Sequence, residues 1–125
     1  MGYINCLRKY AKFNGRASRS EYWGFVIANT VILLILLSAH AYFQLGMLHT
    51  LLAILIISYS LFIIIPTFAA MSRRWHDIGR TGLWIILNIV PIIGQVVTFF
   101  FLLGKGTDGD NEFGRKPGRK RKKRR

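Results

Sequence analysis

Residues Tyr22–Ser72 have the sequence YWGFVIANTVILLILLSAHAYFQLGMLHTLLAILIISYSLFIIIPTFAAMS, which is 51 residues without a single Asp, Glu, Lys or Arg. A membrane-spanning helix needs about 20 predominantly apolar residues, so this stretch is long enough for two such helices and a tight turn. A soluble core helix seldom needs so long an uncharged stretch. The sequence therefore predicts two transmembrane helices, over about 21–43 and 48–71.

The charges of the chain are separated from its apolar segments. A second uncharged stretch, Thr81–Gly104, has 24 residues, and all the charges lie outside the two stretches although the net charge is +13 and 52% of residues are hydrophobic. Charge is excluded from hydrocarbon because it costs roughly 3 kcal/mol or more at the bilayer centre. This pattern predicts an all-α membrane protein, and we expect no enzyme activity from it.

The third apolar segment, predicted over about 83–103, is interrupted by Pro91 and Gly94. Pro and Gly favour turns, so two arrangements are open. The segment is either one kinked span or a re-entrant hairpin whose two arms each enter the bilayer partway. Broken backbone at membrane depth has to be covered by protein or water.

The N-terminal segment precedes the first membrane helix. Apolar and basic side chains alternate at helical spacing over about 3–13, which is typical of an amphipathic helix lying at an anionic membrane surface. Ser18 and Glu21 then have the spacing of a capping box before an apolar run. The sequence therefore predicts an interfacial helix, a turn, and a helix capped by Ser18.

The C-terminal tail is strongly basic. Nine of the eleven residues in 115–125 are Lys or Arg, and such a segment is expected to be disordered in isolation. We therefore divide the chain into an integral membrane domain, 1–114, and a polybasic tail, 115–125. The tail is expected to attract anionic lipid, and we rank nucleic acid below lipid as its partner. Its basic residues are Arg115, Lys116, Arg119, Lys120, Arg121, Lys122, Lys123, Arg124 and Arg125.

The distribution of basic residues predicts the orientation. The segment before the first membrane helix has five basic residues, the 72–82 segment has three, and the turn between the two membrane helices has none. Basic residues in short loops mark the cytoplasmic side, so the N-terminus is predicted to be cytoplasmic. A complete third span would export the ten basic residues from Lys105 onward, whereas a hairpin would keep them inside. The charge rule therefore favours the hairpin and a cytoplasmic C-terminus.

Seven charged residues are predicted to meet at one membrane face. We expect each of the two acids among them to pair with an arginine of the facing segment, because the planar guanidinium can hold a carboxylate by two bonds. Two interpretations are open and compatible: the pairs fix the structure, or the surplus arginines form an anion or lipid-headgroup site. The seven residues are Arg16, Arg19, Glu21, Arg73, Arg74, Asp77 and Arg80.

Metal and catalytic sites are not expected. His76 and Asp77 are adjacent, but no third ligand stands near them at a useful spacing. His40 and His49 flank the turn between the membrane helices and would lack any Cys or carboxylate to complete a site. We therefore predict no metal, no cofactor and no catalytic residue.

Three sequence blocks resemble a known family. They are FNGRASRSEYW at 13–23, RRWHDIGRTG at 73–82 and GTDGDNEFG at 106–114, the last following a broken apolar segment. In order and spacing they are similar to the YhaH-like small proteins of domain-of-unknown-function family 805. The resemblance implies a bacterial inner-membrane location and a multi-pass topology, and it implies no reaction.

The function hypotheses follow from charge and topology. The first is a non-enzymatic membrane protein that assembles with itself or with a membrane-protein partner and engages anionic lipid headgroups through a basic cytoplasmic face. The second is a subunit of an oligomeric small-solute transporter or channel, since so few spans cannot enclose a pore alone. The third is a membrane-tethered, nonspecific nucleic-acid binder acting through the tail.

Overall fold

The computed structural model describes residues 2–118, and in that range the chain is helical with no β-strand beyond an isolated bridge between Asn111 and Gly114. The all-α prediction is therefore confirmed. The elements are α1 (Gly2–Arg8), α2 (Arg19–Tyr42), α3 (Met47–Asp77), a 3-10 helix (Gly82–Ile89) and α4 (Ile93–Leu103).

The two long helices, α2 and α3, form an antiparallel pair. The Ser18 hydroxyl accepts a hydrogen bond from the Glu21 amide at 3.1 Å, so the predicted cap is confirmed. Both helices are long and apolar enough to cross a membrane, and only 11% of the most apolar 18-residue stretch of each is buried inside the protein. A core helix of a soluble protein would be mostly buried, so these exposed apolar faces need lipid or another helix to cover them.

The helix boundaries differ from the predicted ones at two places. Helix α3 continues to Asp77 instead of ending near residue 71, because the charged side chains of its last turns find partners in neighbouring segments. Helix α1 ends at Arg8 instead of about residue 13. The chain turns after Arg8, and the Tyr10 hydroxyl then donates to the Phe62 carbonyl at 2.8 Å.

The third apolar segment is a hairpin. Its first arm is the 3-10 helix, its second arm is α4, and the chain reverses between them at Ile92, whose φ of 63° is in the left-handed region. The arms touch so closely that a Cβ added to Gly94 would overlap the Leu87 carbonyl. The Gln95 side-chain amide also donates to the Asn88 carbonyl at 3.2 Å. The segment is therefore two short helices that turn back on each other, and not one continuous helix over 83–103.

The hairpin returns the chain to the end of the helix pair where it began. The Thr107 amide donates to the Asp77 carbonyl at 2.7 Å, and the Trp23 indole donates to the Leu102 carbonyl at 3.1 Å. The segments 14–21, 72–82 and 104–111 consequently lie together at one end of the α2–α3 pair. We call this the charged end.

The buried core lies close to the charged end. It consists of Cys6, Tyr22, Phe25, Ala70, Trp75 and Leu102, contributed by α1, α2, α3 and α4. Helix α1 docks against α2 and α3, and its Tyr3 ring stacks on Phe25 at 5.6 Å. The Tyr3 hydroxyl lies 3.3 Å from the Tyr59 hydroxyl, which donates to Asn29 at 2.5 Å. Helix α1 is thus held by contacts with α2 and α3, and its position at a membrane surface stays a prediction.

The docking of α1 predicts slow reaction of Cys6, the single cysteine of the chain. Cys6 is fully buried, and this burial raises the pKa of its thiol although the Arg73 charge opposes the shift. Since the thiolate is the reactive form, alkylation at pH 8 should be roughly tenfold slower in mild detergent than in SDS. Tyr59→Phe should speed the reaction by loosening α1, whereas Tyr42→Phe, at an exposed site, should not. Equal rates in both detergents would contradict the docked position of α1.

Candidate anion-binding site at the charged end

Asp77 is the centre of the charged end. Its carboxylate pairs with Arg16 at 2.9 Å through Oδ1 and with Arg74 through Oδ2, and its side chain is 7% exposed. Its backbone carbonyl accepts from the Thr107 amide and from the Thr107 hydroxyl, the latter at 3.1 Å. A Cβ on Gly106 would overlap the Asp77 carboxylate, so the returning loop packs directly against it. One buried acid therefore joins three segments of the chain.

Arg74 fastens the hairpin to the helix pair. Its guanidinium is fully buried and donates to the Leu102 carbonyl at 3.0 Å and to the Gly104 carbonyl at 2.5 Å. These carbonyls belong to the end of α4, where the backbone has no partners within the helix. A third nitrogen donates to the Ala17 carbonyl and to Asp77. Every nitrogen of Arg74 is thus used within the protein.

Arg16 joins the segment before α2 to the loop after α4. In addition to Asp77, it donates to the Thr107 carbonyl at 2.8 Å and to the Gly109 carbonyl at 2.7 Å, and its side chain is 1% exposed. Each of its three nitrogens donates a hydrogen bond. Arg16 and Arg74 therefore have structural roles and leave no nitrogen for an external anion.

Glu21 and Arg73 form the second buried pair, at 2.6 Å, and Lys9 lies 3.5 Å from the same carboxylate oxygen. Both acids therefore contact an arginine of the facing segment, as the sequence predicted. The Nε and Nη2 atoms of Arg73 are buried without a hydrogen-bond partner in the described residues. An unpaired buried donor is costly, so Arg73 depends strongly on Glu21.

The remaining two predicted residues have other surroundings. Arg80 contacts no carboxylate in the described residues, and instead its guanidinium carbon lies 4.4 Å from the centre of the Trp84 ring and 5.2 Å from that of Phe101. This cation–π contact binds the segment after α3 to both arms of the hairpin. Arg19 is exposed and makes no hydrogen bond or ion pair within residues 2–118. Of the seven predicted residues, Arg19 alone is exposed and without a partner in the described range 2–118.

The loop after α4 supplies residues that the sequence analysis did not single out. The Asn111 side-chain amide donates to the His76 carbonyl at 2.9 Å and to the Thr107 hydroxyl at 2.8 Å. The Phe113 ring stacks on the His76 imidazole with a centroid distance of 4.2 Å. The third sequence block contained these residues, but only the hairpin brings them to α3. Such contacts give His76 a structural role.

The other two histidines meet at the opposite end of the helix pair. The His40 and His49 rings stack with a centroid distance of 4.0 Å, and His49 Nδ1 lies 2.7 Å from the Phe43 carbonyl. Among residues 2–118, no group of three or more His, Cys, Asp and Glu side chains is arranged to hold a metal ion.

The surface of the charged end is predominantly basic. Asp108 lies in the loop after α4, where Lys105 and Lys116 contact it at 3.5 and 3.3 Å. The hydrogen bond from Lys116 and the charge of Lys105 hold the pKa of Asp108 below its usual range. The Lys116 backbone amide also donates a hydrogen bond to the Asp110 carboxylate. The ordered loop therefore continues past residue 114, the predicted end of the membrane domain. Residues 119–125 of the predicted tail lie outside the described range. Exposed basic residues are Arg8, Lys12, Arg19, Lys105, Arg115 and Lys116.

The fold and the charged end together define an all-helical membrane protein with two transmembrane helices, a shorter apolar helix and a cross-linked charged end. The chain belongs to the DUF805 family, described as "Protein of unknown function", which matches residues 10–115. The resemblance seen in the three sequence blocks is thereby confirmed.

Two curated relatives are named as inner membrane proteins. The chain is 33% identical over 123 residues to inner membrane protein YhaH of Escherichia coli strain K12, with 92% of this chain and 94% of YhaH covered. It is 37% identical over 115 residues to inner membrane protein YhaI of the same organism, with 92% and 93% covered. No solved structure matches the chain.

Proposed function

We propose that this protein is a non-enzymatic bacterial inner-membrane protein whose basic cytoplasmic face binds anionic lipid headgroups. The observation that carries the proposal is the position of charge in the fold. Within residues 2–118, every Asp, Glu, Lys and Arg belongs to α1, to the segment that follows it, or to the charged end and the loop beyond it. The opposite end, at the turn between α2 and α3, has no charged residue.

The exposed part of that charge has the sign that anionic lipid requires. Arg16, Arg73 and Arg74 share the carboxylates of Asp77 and Glu21 inside the protein, whereas six further basic residues are exposed at the surface. Each Lys or Arg near an anionic membrane surface contributes about 1 kcal/mol to attraction. The apolar faces of α2 and α3 are left for lipid chains or for the helices of a partner or a second copy.

A lipid-binding experiment in detergent tests the proposal. Full-length protein in nonionic detergent is expected to bind phosphatidylglycerol in preference to phosphatidylcholine, and the preference should fall as salt screens the exposed charges. Native mass spectrometry of lipid adducts measures both. Equal retention of the two lipids at low salt would overturn the proposal.

The hairpin predicts that both termini are on the cytoplasmic side. Reporter domains that are active only in the cytoplasm should therefore be active when fused to either terminus, and a reporter that requires export should be active only when inserted after Gly46, in the uncharged turn. Positive-inside bias supports this orientation, because the basic residues flank α2 and α3 at one end. Export of a C-terminal reporter would contradict it.

A further inference from the structure

We infer that a cleft beside the first turn of α2 holds the phosphate group of an anionic phospholipid, with Arg19, Lys105 and Lys116 as its ligands. This inference rests on the proposed lipid-binding function and assigns that function to one place. The cleft has a volume of about 200 Å³, and it is open to solvent between the start of α2, the end of α3 and the loop after α4. That volume accommodates a phosphate group with accompanying water.

Three cations from separate parts of the chain converge on the cleft. Arg19 is the first residue of α2, Lys105 follows α4, and Lys116 lies at the end of the described loop. Asp77 lines the floor, but its carboxylate is already paired with two arginines. The surroundings of the cleft are therefore positive in spite of the acid within it.

The hydrogen-bonding capacity of these three residues differs from that of the buried arginines. Arg19 has no hydrogen-bond acceptor within residues 2–118, so its planar fork is available for two phosphate oxygens. Lys105 and Lys116 share only Asp108, whose side chain is 76% exposed. An exposed pair of this kind is weak, and a phosphate can replace the carboxylate.

The start of α2 adds a favourable field to the cleft. The Ser18 hydroxyl accepts the Glu21 amide, and the amides of the first turn carry the partial positive charge of the helix dipole toward the cleft. This contribution supports the cations and is not sufficient for a site alone.

The position of the cleft favours a lipid over a free anion. Lys105 comes two residues after Leu103, the last residue of α4, and Leu103 and Phe100 expose 42% and 67% of their surface. An apolar path therefore leads from the membrane-facing side of α4 to the cations. Trp23, an aromatic residue of the kind that lies at headgroup depth, packs against α4 beside this path.

The test compares two triple variants of the full chain with equal loss of charge. One replaces the cleft cations (Arg19→Gln, Lys105→Gln and Lys116→Gln), and the other replaces exposed cations elsewhere (Arg8→Gln, Lys12→Gln and Arg115→Gln). All six residues are exposed, so both variants should melt at the wild-type temperature. Native mass spectrometry measures binding of phosphatidylglycerol, phosphatidylcholine and inorganic phosphate.

The cleft variant is expected to lose on the order of a hundredfold in phosphatidylglycerol affinity, because it removes three cations and each cation near an anionic surface contributes roughly fivefold. The control variant should lose clearly less, and Arg19→Lys should retain part of the affinity. Equal losses in the two variants, with wild-type lipid selectivity intact, would overturn the cleft and leave the proposed function standing. Absence of selectivity in the wild type would overturn both. Tight binding of inorganic phosphate without lipid would overturn the lipid assignment.

Discussion

Asp77→Asn should destabilise this protein more than the replacement of any other acid, by about 3 kcal/mol or more. The carboxylate holds Arg16 and Arg74, whose side chains are 1% and 0% exposed. Removing one partner of a buried ion pair leaves an uncompensated charge in a poorly solvated place. Here two guanidinium groups lose their carboxylate partner at once. The melting temperature in mild detergent measures the effect.

Asp108→Asn is the matched control for this prediction. It removes the same charge from the loop after α4, but the side chain is 76% exposed and its lysine partners are solvated. The melting temperature should change little. If the two variants had the same melting temperature, Asp77 would not be the central residue of the charged end.

Gly94→Ala should disrupt the hairpin, with a loss of about 1–3 kcal/mol from overpacking. The added methyl group would overlap the Leu87 carbonyl on the opposite arm, and a backbone atom cannot move aside as a flexible side chain can. Gly94→Val should be worse, since its branched side chain is larger. Resistance to SDS unfolding, followed by tryptophan fluorescence, measures the loss because Trp84 lies on the other arm.

Ile93→Ala provides the control within the same helix. Ile93 is 68% exposed at the start of α4, so its truncation changes the composition of the hairpin without changing the contact between its arms. We expect near wild-type resistance. Wild-type resistance of Gly94→Ala as well would show that the arms are not packed as described.

Much of the architecture could be predicted because it depends on composition along the chain. The exclusion of charge from 22–72 predicted α2 and α3, since a charge in hydrocarbon is costly wherever the rest of the chain lies. The cap at Ser18 could also be predicted, because its hydrogen bond spans only three residues. These are local properties.

The partners at the charged end could be predicted only in part. The pairing of Asp77 with an arginine followed from the scarcity of acids, but the capping of α4 by Arg74 and the position of Arg80 over Trp84 did not. The contact of Thr107 with Asp77 was not predicted either, because the two residues are 30 positions apart in the sequence. No local pattern marks such contacts.

The sequence by itself determined that this chain is an all-helical membrane protein, because the cost of charge in a bilayer acts on each segment separately. Only the tertiary structure shows that the third segment turns back toward the end of α3, since this depends on the contact of Gly94 with Leu87 and on the hydrogen bond from Thr107 to Asp77. It also decided which cations are paired inside the protein and which are exposed to solvent. Arg16 and Arg19 look alike in the sequence, and only the position of acceptors in space separates a buried cross-link from an exposed ligand.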